Sequence, residues 1–253
     1  MIFDTHAHYD DKQFDDDREK LLEEMKEYGI EGIVNVSAAV DSWQDIIDLT
    51  KKYDMIYGAI GVHPDDVGNL TEEKFEEMKK FLKNEKIVAV GEIGLDYHWD
   101  TNPRDVQEQW FIRQLELARK DDKPVIIHSR DAAEDTMRIM KQHGQDLGGI
   151  IHCYSSSKEL AKEYVKLGYY IGIGGVVTFQ NAKKLKEVVQ EIPLEKLVLE
   201  TDCPYLAPAP NRGKRNSSLY LEYVVMEIAE LKNVSKEKVI EQTTLNAKQV
   251  YRL

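Results

Sequence analysis

Two histidines near the start of the chain, His6 and His8, have the spacing of metal ligands. They follow a short apolar run from Ile2 to Thr5, which predicts a β-strand. Side chains two residues apart on a strand point to the same face, so both imidazoles would lie side by side at the strand end. A His-x-His pair alone is equally typical of two polar residues in a turn. The positions of the other histidines and acids decide between these interpretations.

The remaining candidates follow later apolar runs in the same way. His128, His152 and Glu92 each end such a run, and His63 and Asp202 follow two others. Five of the seven histidines therefore fall at strand ends, a distribution that scattered surface histidines would not produce. We predict metal ligation by His6, His8, Glu92, His128, His152 and Asp202.

This ligand set has a chemical consequence. Four imidazoles and two carboxylates exceed the needs of one tetrahedral site, but they suit two cations that share a bridging carboxylate. Glu92 is the candidate bridge. Two cations about 3.5 to 4 Å apart would hold a hydroxide between them, and Asp202 could both ligate and accept the proton of that nucleophile. A nitrogen-rich set favours Zn²⁺, Mn²⁺ or Fe²⁺ over Mg²⁺, which prefers oxygen ligands.

Eight apolar runs supply the strands that must position these side chains. Stretches with helical periodicity separate them, and such alternation indicates a parallel sheet covered on both faces. Eight units of this kind in 253 residues are what a closed TIM (β/α)₈ barrel needs, and an open doubly wound sheet is the alternative. The runs are Ile2 to Thr5, Ile30 to Val36, Met55 to Ile60, Ile87 to Gly91, Pro124 to Ile127, Gly149 to Ile151, Tyr169 to Ile173 and Leu197 to Leu199.

Helix boundaries are also predicted. Thr71 and Ser157 precede acidic residues and are expected N-caps, as is Asp41. Two helical patterns near the end of the chain, Leu219 to Leu231 and Lys236 to Tyr251, would complete an outer ring of helices. No linker or shift of composition divides the chain, so we expect residues 1–253 to form a single domain.

Composition limits the possible partners. The net charge of −12, from 34 basic and 46 acidic residues, has the wrong sign for a protein that coats a long phosphate backbone, so any nucleic acid must be held locally. No apolar run approaches the roughly 20 residues of a membrane span, and neither a membrane nor an obligate protein partner is implied. Cys153 and Cys203 each follow a candidate ligand. We expect free thiols turned into packing, which suits a reducing cytoplasm.

A basic loop after the eighth strand is the candidate substrate side. Arg212, Lys214 and Arg215 give three cations in four positions, which predicts a local anion site, with a solvated loop as the alternative. Barrels commonly bind phosphate in the loops after strands seven and eight. Arg130, two residues past His128, faces the same mouth by strand alternation.

Other residues near the strand ends have more than one interpretation. His63 could donate to a phosphate, ligate at the edge of the site or be a structural histidine, and we favour donation. Asp96 and Glu200 could each hold a ligand imidazole from behind, and direct ligation is the alternative for Glu200. Three glycines would approach a phosphate or serve a turn: Gly172, Gly174 and Gly175. Three aromatic residues would stack on a base or pack inside the protein: Tyr97, Trp99 and Tyr205.

Several motifs span nearly the whole chain. They are Phe3-Asp4-Thr5-His6-Ala7-His8, Gly61-Val62-His63-Pro64, Gly91-Glu92-Ile93-Gly94-Leu95-Asp96-Tyr97, His128-Ser129-Arg130, Glu200-Thr201-Asp202-Cys203-Pro204-Tyr205 and Arg212-Gly213-Lys214-Arg215-Asn216. With them the sequence resembles the TatD family of metal-dependent hydrolases, within the amidohydrolase-like barrels. The resemblance implies a TIM barrel, divalent metal at the predicted ligands, and the 3′-to-5′ deoxyribonuclease activity of some members, whereas others have been linked to aminoacyl-tRNA deacylation.

One departure from the family pattern concerns the basic loop. The resemblance places Asn216 of the Arg-Gly-x-x-Asn motif among the substrate contacts. Family members often follow this Asn with an acid and a proline, whereas Ser217 and Ser218 follow it here. We therefore expect that this loop could open differently.

Three functions are compatible with these features. The first is a 3′-to-5′ exodeoxyribonuclease that cleaves a terminal phosphodiester of a single-stranded or frayed 3′ end, with Arg130, Arg212 and His63 holding the phosphate. The second is hydrolysis of a carboxylic ester or amide, such as an aminoacyl-tRNA bond, because a Lewis acid polarises a carbonyl as well as a phosphoryl oxygen. The third is a metal-dependent structural or nucleic-acid-binding protein, which predicts closed coordination.

Overall fold

Eight parallel strands pair in chain order in the computed structural model, which describes residues 1–253. The ring closes between the first and last strands, where Thr5 Oγ1 donates to the Leu199 carbonyl at 2.9 Å and Asp202 N donates to the His6 carbonyl at 2.9 Å. This confirms the predicted TIM barrel and excludes the open sheet. The strands are β1 (Ile2–Ala7), β2 (Ile30–Val36), β3 (Ile56–Ile60), β4 (Ile87–Asp96), β5 (Val125–Arg130), β6 (Gly149–Ile151), β7 (Tyr169–Ile173) and β8 (Leu197–Leu199).

Helices follow the strands and form the outer layer. Thr71 and Ser157 are N-caps as predicted, since their side chains accept from the backbone N–H of Lys74 and Leu160, both at 3.3 Å. The prediction for Asp41 is wrong: the helix begins one residue later, after Ser42. The helices are α1 (Arg18–Glu24), α2 (Trp43–Lys52), α3 (Glu72–Phe81), α4 (Arg104–Lys120), α5 (Ala133–His143), α6 (Lys158–Lys166), α7 (Lys183–Glu191), α8 (Leu221–Lys232) and α9 (Lys236–Tyr251).

Two apolar clusters hold the barrel together. The larger one lies between strands and helices, and the smaller one collects the alternate strand residues, such as Val34, Ile126 and Val198, that face the barrel interior. Helix α9 adds Tyr251 to this interior cluster, and the Tyr251 hydroxyl donates to the Thr5 carbonyl at 2.8 Å. The interior is therefore a packed apolar floor, and polar chemistry is confined to the opposite rim.

Glycines allow the close approach of β3 and β4 where the site begins. A Cβ at Gly61 would lie 2.7 Å from the carbonyl carbon of Gly91, and a Cβ at Gly91 would lie 2.6 Å from Ile126 Cβ. Both contacts are shorter than real Cβ atoms make, so side chains at these positions would push the strand ends apart. Gly91 precedes Glu92, which is thereby brought to the centre of the rim.

No helix combines the length and the apolar character that crossing a membrane requires.

Candidate metal centre

Glu92 lies at the centre of the site and presents its two carboxylate oxygens to two sets of imidazoles. Its Oε1 lies 2.7 Å from Nδ1 of His128 and 3.5 Å from Nε2 of His152. Its Oε2 lies 3.5 Å from Nε2 of His6 and 4.0 Å from Nε2 of His8. The side chain is only 5% exposed, so this carboxylate faces protein donors and almost no water. A carboxylate placed between two groups of ligands is what a bridged pair of ions requires.

Asp202 approaches the same centre from the end of β8. Its Oδ1 lies 3.4 Å from Nε2 of His8, 3.8 Å from Nε2 of His6 and 3.9 Å from Nε2 of His152. The backbone of Asp202 has a positive φ of 56°, a left-handed conformation that Asp tolerates better than most residues and that turns its side chain inward. At 19% its side chain is more exposed than the side chains of Glu92, Asp96 and Glu200.

The donor atoms form overlapping groups within which every atom lies no more than 4.8 Å from the others. The first two groups share His6, and the second and third share Glu92. The structure thus brings all the predicted ligands together at one rim and adds His63 to them. The groups are His6, His152 and Asp202; His6, His8 and Glu92; His63, Glu92 and His128; and His63, Asp65 and Asp96.

Two of the imidazoles are oriented by acceptors behind them. His8 Nδ1 lies 2.7 Å from the Val36 carbonyl, and His152 Nδ1 lies 3.3 Å from Glu200 Oε2. The other oxygen of Glu200 accepts from the backbone N–H of Cys153 at 2.6 Å, which fixes this buried carboxylate. Histidine ligands usually donate their second N–H in this way, so that the remaining nitrogen is free for the metal. The structure therefore favours the orienting role of Glu200 over direct ligation.

His128 lies between two carboxylates. Its Nδ1 faces Glu92, and its Nε2 lies 2.9 Å from Asp96 Oδ2. Asp96 is held in turn, because its Oδ1 accepts from the backbone N–H groups of His98 and Trp99 at 2.9 and 3.2 Å. Asp96 therefore lies behind His128, a predicted ligand, at the end of β4.

Neighbouring imidazoles keep two acids of the site ionised. Burial alone would raise the pKa of Glu92, but the imidazoles of His152 and His6 and the hydrogen bond of His128 hold it well below its usual value. Burial is also overcome at Asp202, whose pKa is lowered by the hydrogen bond to His8 and by the neighbouring imidazoles. Both carboxylates are thus negatively charged at neutral pH and are suited to a cation.

The donor set fits divalent ions. His6 Nε2 and His8 Nε2 lie only 3.0 Å apart, and an ion shared by both lone pairs satisfies them without a proton. Several imidazole nitrogens with two carboxylates form a mixed set that Zn²⁺ and other first-row metals prefer. Ligands from separate strand ends also leave one side of the centre open towards the mouth, since Asp202 remains partly exposed.

Comparison with known proteins agrees with this geometry. The family model of the TatD related DNases matches residues 3–252. The metal-dependent hydrolase YabD of Bacillus subtilis (strain 168) is 47% identical over 254 residues, with 100% of both chains covered. The metal-dependent hydrolase YcfH of Escherichia coli (strain K12) is 32% identical over 257 residues, covering 100% of this chain and 96% of YcfH. The crystal structure of YjjV, a TatD homologue from Escherichia coli K12, matches with a TM-score of 0.94 at 30% identity, over 100% of this chain and 98% of YjjV.

The chain belongs to the TatD family. It is accordingly a metal-dependent hydrolase with the TIM barrel of its relatives. The third function considered from the sequence, a purely structural or nucleic-acid-binding role, is set aside on this ground.

The basic loop of this TatD-family protein differs from the sequence prediction. Arg215 does not contribute to an anion site, because its guanidinium pairs with both oxygens of Asp17 at 2.8 and 2.5 Å and stacks on Phe14. Lys214 Nζ donates to Asn211 Oδ1 at 3.3 Å. The prediction of three free cations is therefore wrong for Arg215, which serves to fasten the loop to the segment before α1.

The position of Asn216 also differs from the one expected of a substrate contact. Its side chain is buried, and its amide N–H groups donate to the carbonyls of Thr201 and Tyr205 at 2.9 and 2.8 Å. Its Oδ1 accepts from the backbone N–H of Ser217 at 2.9 Å. With donors and acceptor engaged inside the protein, Asn216 braces the loop, and the structure shows no free group of this side chain for the expected substrate contact. Ser218 next to it donates to the buried carboxylate of Asp4 at 2.6 Å, so the departure from the family pattern is accommodated inside the fold.

Two arginines remain available at the mouth. Arg130 and Arg212 are exposed, and neither guanidinium pairs with a carboxylate. Each lies against an aromatic face instead: Arg130 is 5.5 Å from the centroid of Trp99, and Arg212 is 4.5 Å from that of Phe179. These are the cations that the sequence placed at the substrate.

The glycines in β7 and directly after it serve packing. A Cβ at Gly172 would lie 2.4 Å from Glu200 Oε2, and a Cβ at Gly175 would lie 2.2 Å from the Leu206 carbonyl oxygen. Gly172 therefore makes room for the carboxylate that orients His152. Of the cysteines, both free, Cys203 is buried in packing as predicted, but Cys153 adopts a positive φ of 44° and lines a small cavity beside Asp202.

Sequence reasoning missed the polar side chains that hold the strand ends. Gln114 of α4 accepts from Val62 N at 2.8 Å and donates to the Val62 carbonyl at 3.2 Å, and Gln107 binds both backbone groups of Asp96 in the same manner at 2.9 and 3.1 Å. The detectable signal is two glutamines seven residues apart on the buried face of one helix. Asp65 was missed as well; its Oδ2 lies 3.7 Å from His63 Nδ1.

Proposed function

We propose that this TatD-family hydrolase is a 3′-to-5′ exodeoxyribonuclease that acts on single-stranded or frayed 3′ ends. The observation that carries the proposal is Glu92, whose two oxygens face separate sets of imidazoles beside unpaired arginines. Such a centre suits displacement at a phosphodiester, and the matching family is described as TatD related DNases. The reducing cytoplasm remains the proposed location, for which two free thiols are suited.

Six residues would hold two divalent ions in this proposal. Zn²⁺, Mn²⁺ or Fe²⁺ fit the nitrogen-rich donors better than Mg²⁺. When bound, the ions supply Lewis acidity to a phosphoryl oxygen and lower the pKa of water towards neutrality. The ligands are His6, His8, Glu92, His128, His152 and Asp202.

Asp202 is the residue that takes up the proton of the attacking water. It is ionised, because neighbouring imidazoles lower its pKa, and its side chain is 19% exposed whereas that of Glu92 is 5% exposed. Only a carboxylate that reaches the mouth can contact both the centre and an incoming water molecule. Glu92 stays buried and keeps the ligand sets in register.

Arg130, Arg212 and His63 hold the phosphate. Burial and the neighbouring His128 lower the pKa of His63 to about 3, so this imidazole is neutral. Its Nδ1 accepts from the backbone N–H of Asp65 at 3.1 Å, which leaves the proton on Nε2. Nε2 faces the centre, 3.9 Å from Glu92 Oε1, as a hydrogen-bond donor should. This tautomer supports donation to a phosphate oxygen over ligation by the same atom.

The charge of the chain supports action at the end of a nucleic-acid strand. The chain has a net charge of −12 and exposes two unpaired arginines at the mouth, which is too little positive charge to hold a duplex along its length. A frayed or single-stranded terminus needs neutralisation only at the phosphates next to the centre.

A 3′-labelled single strand tests the proposal. Reconstituted with Mn²⁺ or Zn²⁺, the protein should release the labelled 3′ nucleotide, and chelation, a blocked 3′ end, His128→Ala or Asp202→Asn should each abolish release. His143→Ala, at the far end of α5, is the matched control and should cleave normally. Full activity in the chelated protein or in His128→Ala would refute the proposal.

One observation favours a second function, hydrolysis of an aminoacyl-tRNA ester. A largely apolar cavity of about 40 Å³ lies beside Asp202 and is lined by Cys153, Val176 and Leu206, among others. It would accept a small aminoacyl side chain next to the centre. A parallel assay with the labelled strand and a charged tRNA separates the two functions. Acyl release from the tRNA while the strand stays intact would favour the deacylase over the exonuclease.

A further inference from the structure

Trp99 is an exposed aromatic beside the metal centre. Its side chain is 64% exposed, whereas Trp43 and Trp110 are 1% and 9% exposed and belong to the core. Leaving an indole in water costs free energy unless a partner covers it, and exposed tryptophans are typical of binding surfaces. The loop after β4 that carries Trp99 is therefore a candidate for ligand contact.

Hydrogen bonds fix Trp99 close to the reacting groups. Its backbone N–H donates to Asp96 Oδ1 at 3.2 Å, and Asp96 Oδ2 lies 2.9 Å from His128 Nε2. The adjacent His98 pairs with Asp131 at 3.1 Å and lies edge-on to the Trp99 ring, 5.0 Å between centroids. The indole is thus positioned by residues that also position a candidate ligand.

Trp99 differs from the other aromatics at the mouth. Tyr97 is half-buried, donates its hydroxyl to Asp135 at 3.1 Å and packs against Arg104 at 4.1 Å. Tyr205 is 49% exposed, but its hydroxyl is tied to Asp11 at 2.8 Å. Of the three aromatics named from the sequence, Trp99 has the largest free surface.

Arg130 lies beside the exposed ring of Trp99. Its guanidinium lies 5.5 Å from the centroid of the Trp99 ring and forms no ion pair. An aromatic face beside an unpaired arginine is the combination with which proteins hold single-stranded nucleic acid, because every base has a π-face and every nucleotide a phosphate. Bases inside a duplex are already stacked on each other and could not use it.

We propose that Trp99 and Arg130 form a stacking subsite for an unpaired nucleobase of the substrate, with Trp99 against the base and Arg130 on the adjoining phosphate. This rests on the proposed function in that the base belongs to a nucleic-acid substrate. The subsite selects for strands whose terminal bases are free, and it is indifferent to sequence.

The test compares strands that differ in one base. Binding is measured in the chain reconstituted with Mn²⁺, using a short oligothymidylate with non-hydrolysable linkages and the same strand with an abasic 3′-terminal residue. Trp99→Ala should weaken binding of the complete strand by roughly 5- to 150-fold, the effect of one stacked base, and leave the abasic strand nearly unaffected. Trp99→Phe should restore most of the affinity. Tyr28→Ala is the matched control, since Tyr28 is also 64% exposed but precedes β2 at the opposite end of the barrel.

Fluorescence adds a readout independent of cleavage. Because the other tryptophans are buried, the complete strand should quench the emission of Trp99, and Trp99→Phe should remove that quenching. Equal losses for both strands in Trp99→Ala, or no loss for either, would overturn the subsite. If binding depends on Trp99 but the wild-type chain does not cleave the strand, the exonuclease proposal is overturned and the subsite stands. If the chain cleaves the strand and binding does not depend on Trp99, the subsite is overturned and the exonuclease proposal stands. Absence of any binding would overturn both.

Discussion

At the scale of single residues, the carboxylates of the centre differ in function because their surroundings differ. Glu92 is enclosed by imidazoles on both oxygens, Asp202 reaches the mouth, and Glu200 lies behind His152 with no access to solvent. The same chemical group is therefore suited to bridge ligands in one place, to accept a proton in another and to orient an imidazole in the third.

Glu200→Gln tests the orienting role. The amide is nearly the same shape but neutral, so the hold on His152 weakens while the packing stays the same. We expect metal affinity to fall about 10- to 100-fold, measured by competition with a fluorescent chelator. Glu191→Gln, on the surface end of α7, should leave the affinity as in wild type. An unchanged affinity in Glu200→Gln would show that His152 does not need this partner.

Asn216→Ala separates bracing from substrate binding. The change leaves the carbonyls of Thr201 and Tyr205 and the N–H of Ser217 without partners, at a cost of about 1 to 3 kcal/mol in the free energy of unfolding. Urea denaturation measures this loss, with exposed Asn69→Ala as the control. A variant of wild-type stability with raised KM would mean instead that Asn216 contacts the substrate.

At the scale of elements, the sequence predicted the strands well wherever their residues are apolar. β6, β7 and β8 have the predicted bounds because apolar runs in a parallel sheet are covered on both faces, and β2 has them although it includes Glu31 and Asn35. β4 and β5 extend further than predicted, to Asp96 and Arg130, and these two residues pair across the sheet. At the functional rim the strand ends carry polar side chains, so no apolar run marks them in the sequence. Backbone pairing there does not depend on apolar character.

The candidate ligands could be predicted because each is a histidine or an acid at the end of an apolar run or shortly after one. The substrate loop could not, because its partners are distant in sequence. Arg215 reads as a free cation until the fold brings it to Asp17, 198 residues away. Gly172 likewise reads as a turn residue until Glu200 is placed against it.

Gly172→Ala tests how β7 and β8 cooperate. Its Cβ would lie 2.4 Å from Glu200 Oε2 and would displace the carboxylate from His152, so metal affinity should fall about as much as in Glu200→Gln. Gly174→Ala is a matched control, since its Cβ would meet nothing nearer than 3.4 Å. Isothermal titration of the metal measures both. Equal affinities in the two variants would contradict the close packing of Gly172 on Glu200.

At the scale of the whole molecule, a barrel gathers at one rim side chains that are far apart in the chain. His6 and Asp202 are brought together by the closure of β1 against β8, and Glu92 enters from the middle of the sequence. The rest of the surface is acidic, with a net charge of −12, so attraction of a polyanion depends on a few residues at the mouth.

The salt dependence of strand binding measures how many cations contact the phosphates. With Arg130 and Arg212 as the phosphate contacts, the logarithm of strand affinity should fall against the logarithm of salt concentration with a slope of roughly −1.4, about 0.7 for each phosphate contact. Arg130→Ala or Arg212→Ala should each reduce the slope by about half. Arg215→Ala should not change it, because Arg215 is paired with Asp17. A slope several times steeper would indicate an extended basic surface that the structure does not have.

The metal content of the purified and reconstituted chain, measured by elemental mass spectrometry after removal of free ions, tests the account most directly. We predict two divalent ions per chain, with Glu92→Gln and His128→Ala each retaining fewer ions and losing hydrolysis. A chain that holds no metal above background and still hydrolyses its substrate at full rate would contradict the assignment of this rim as a metal centre.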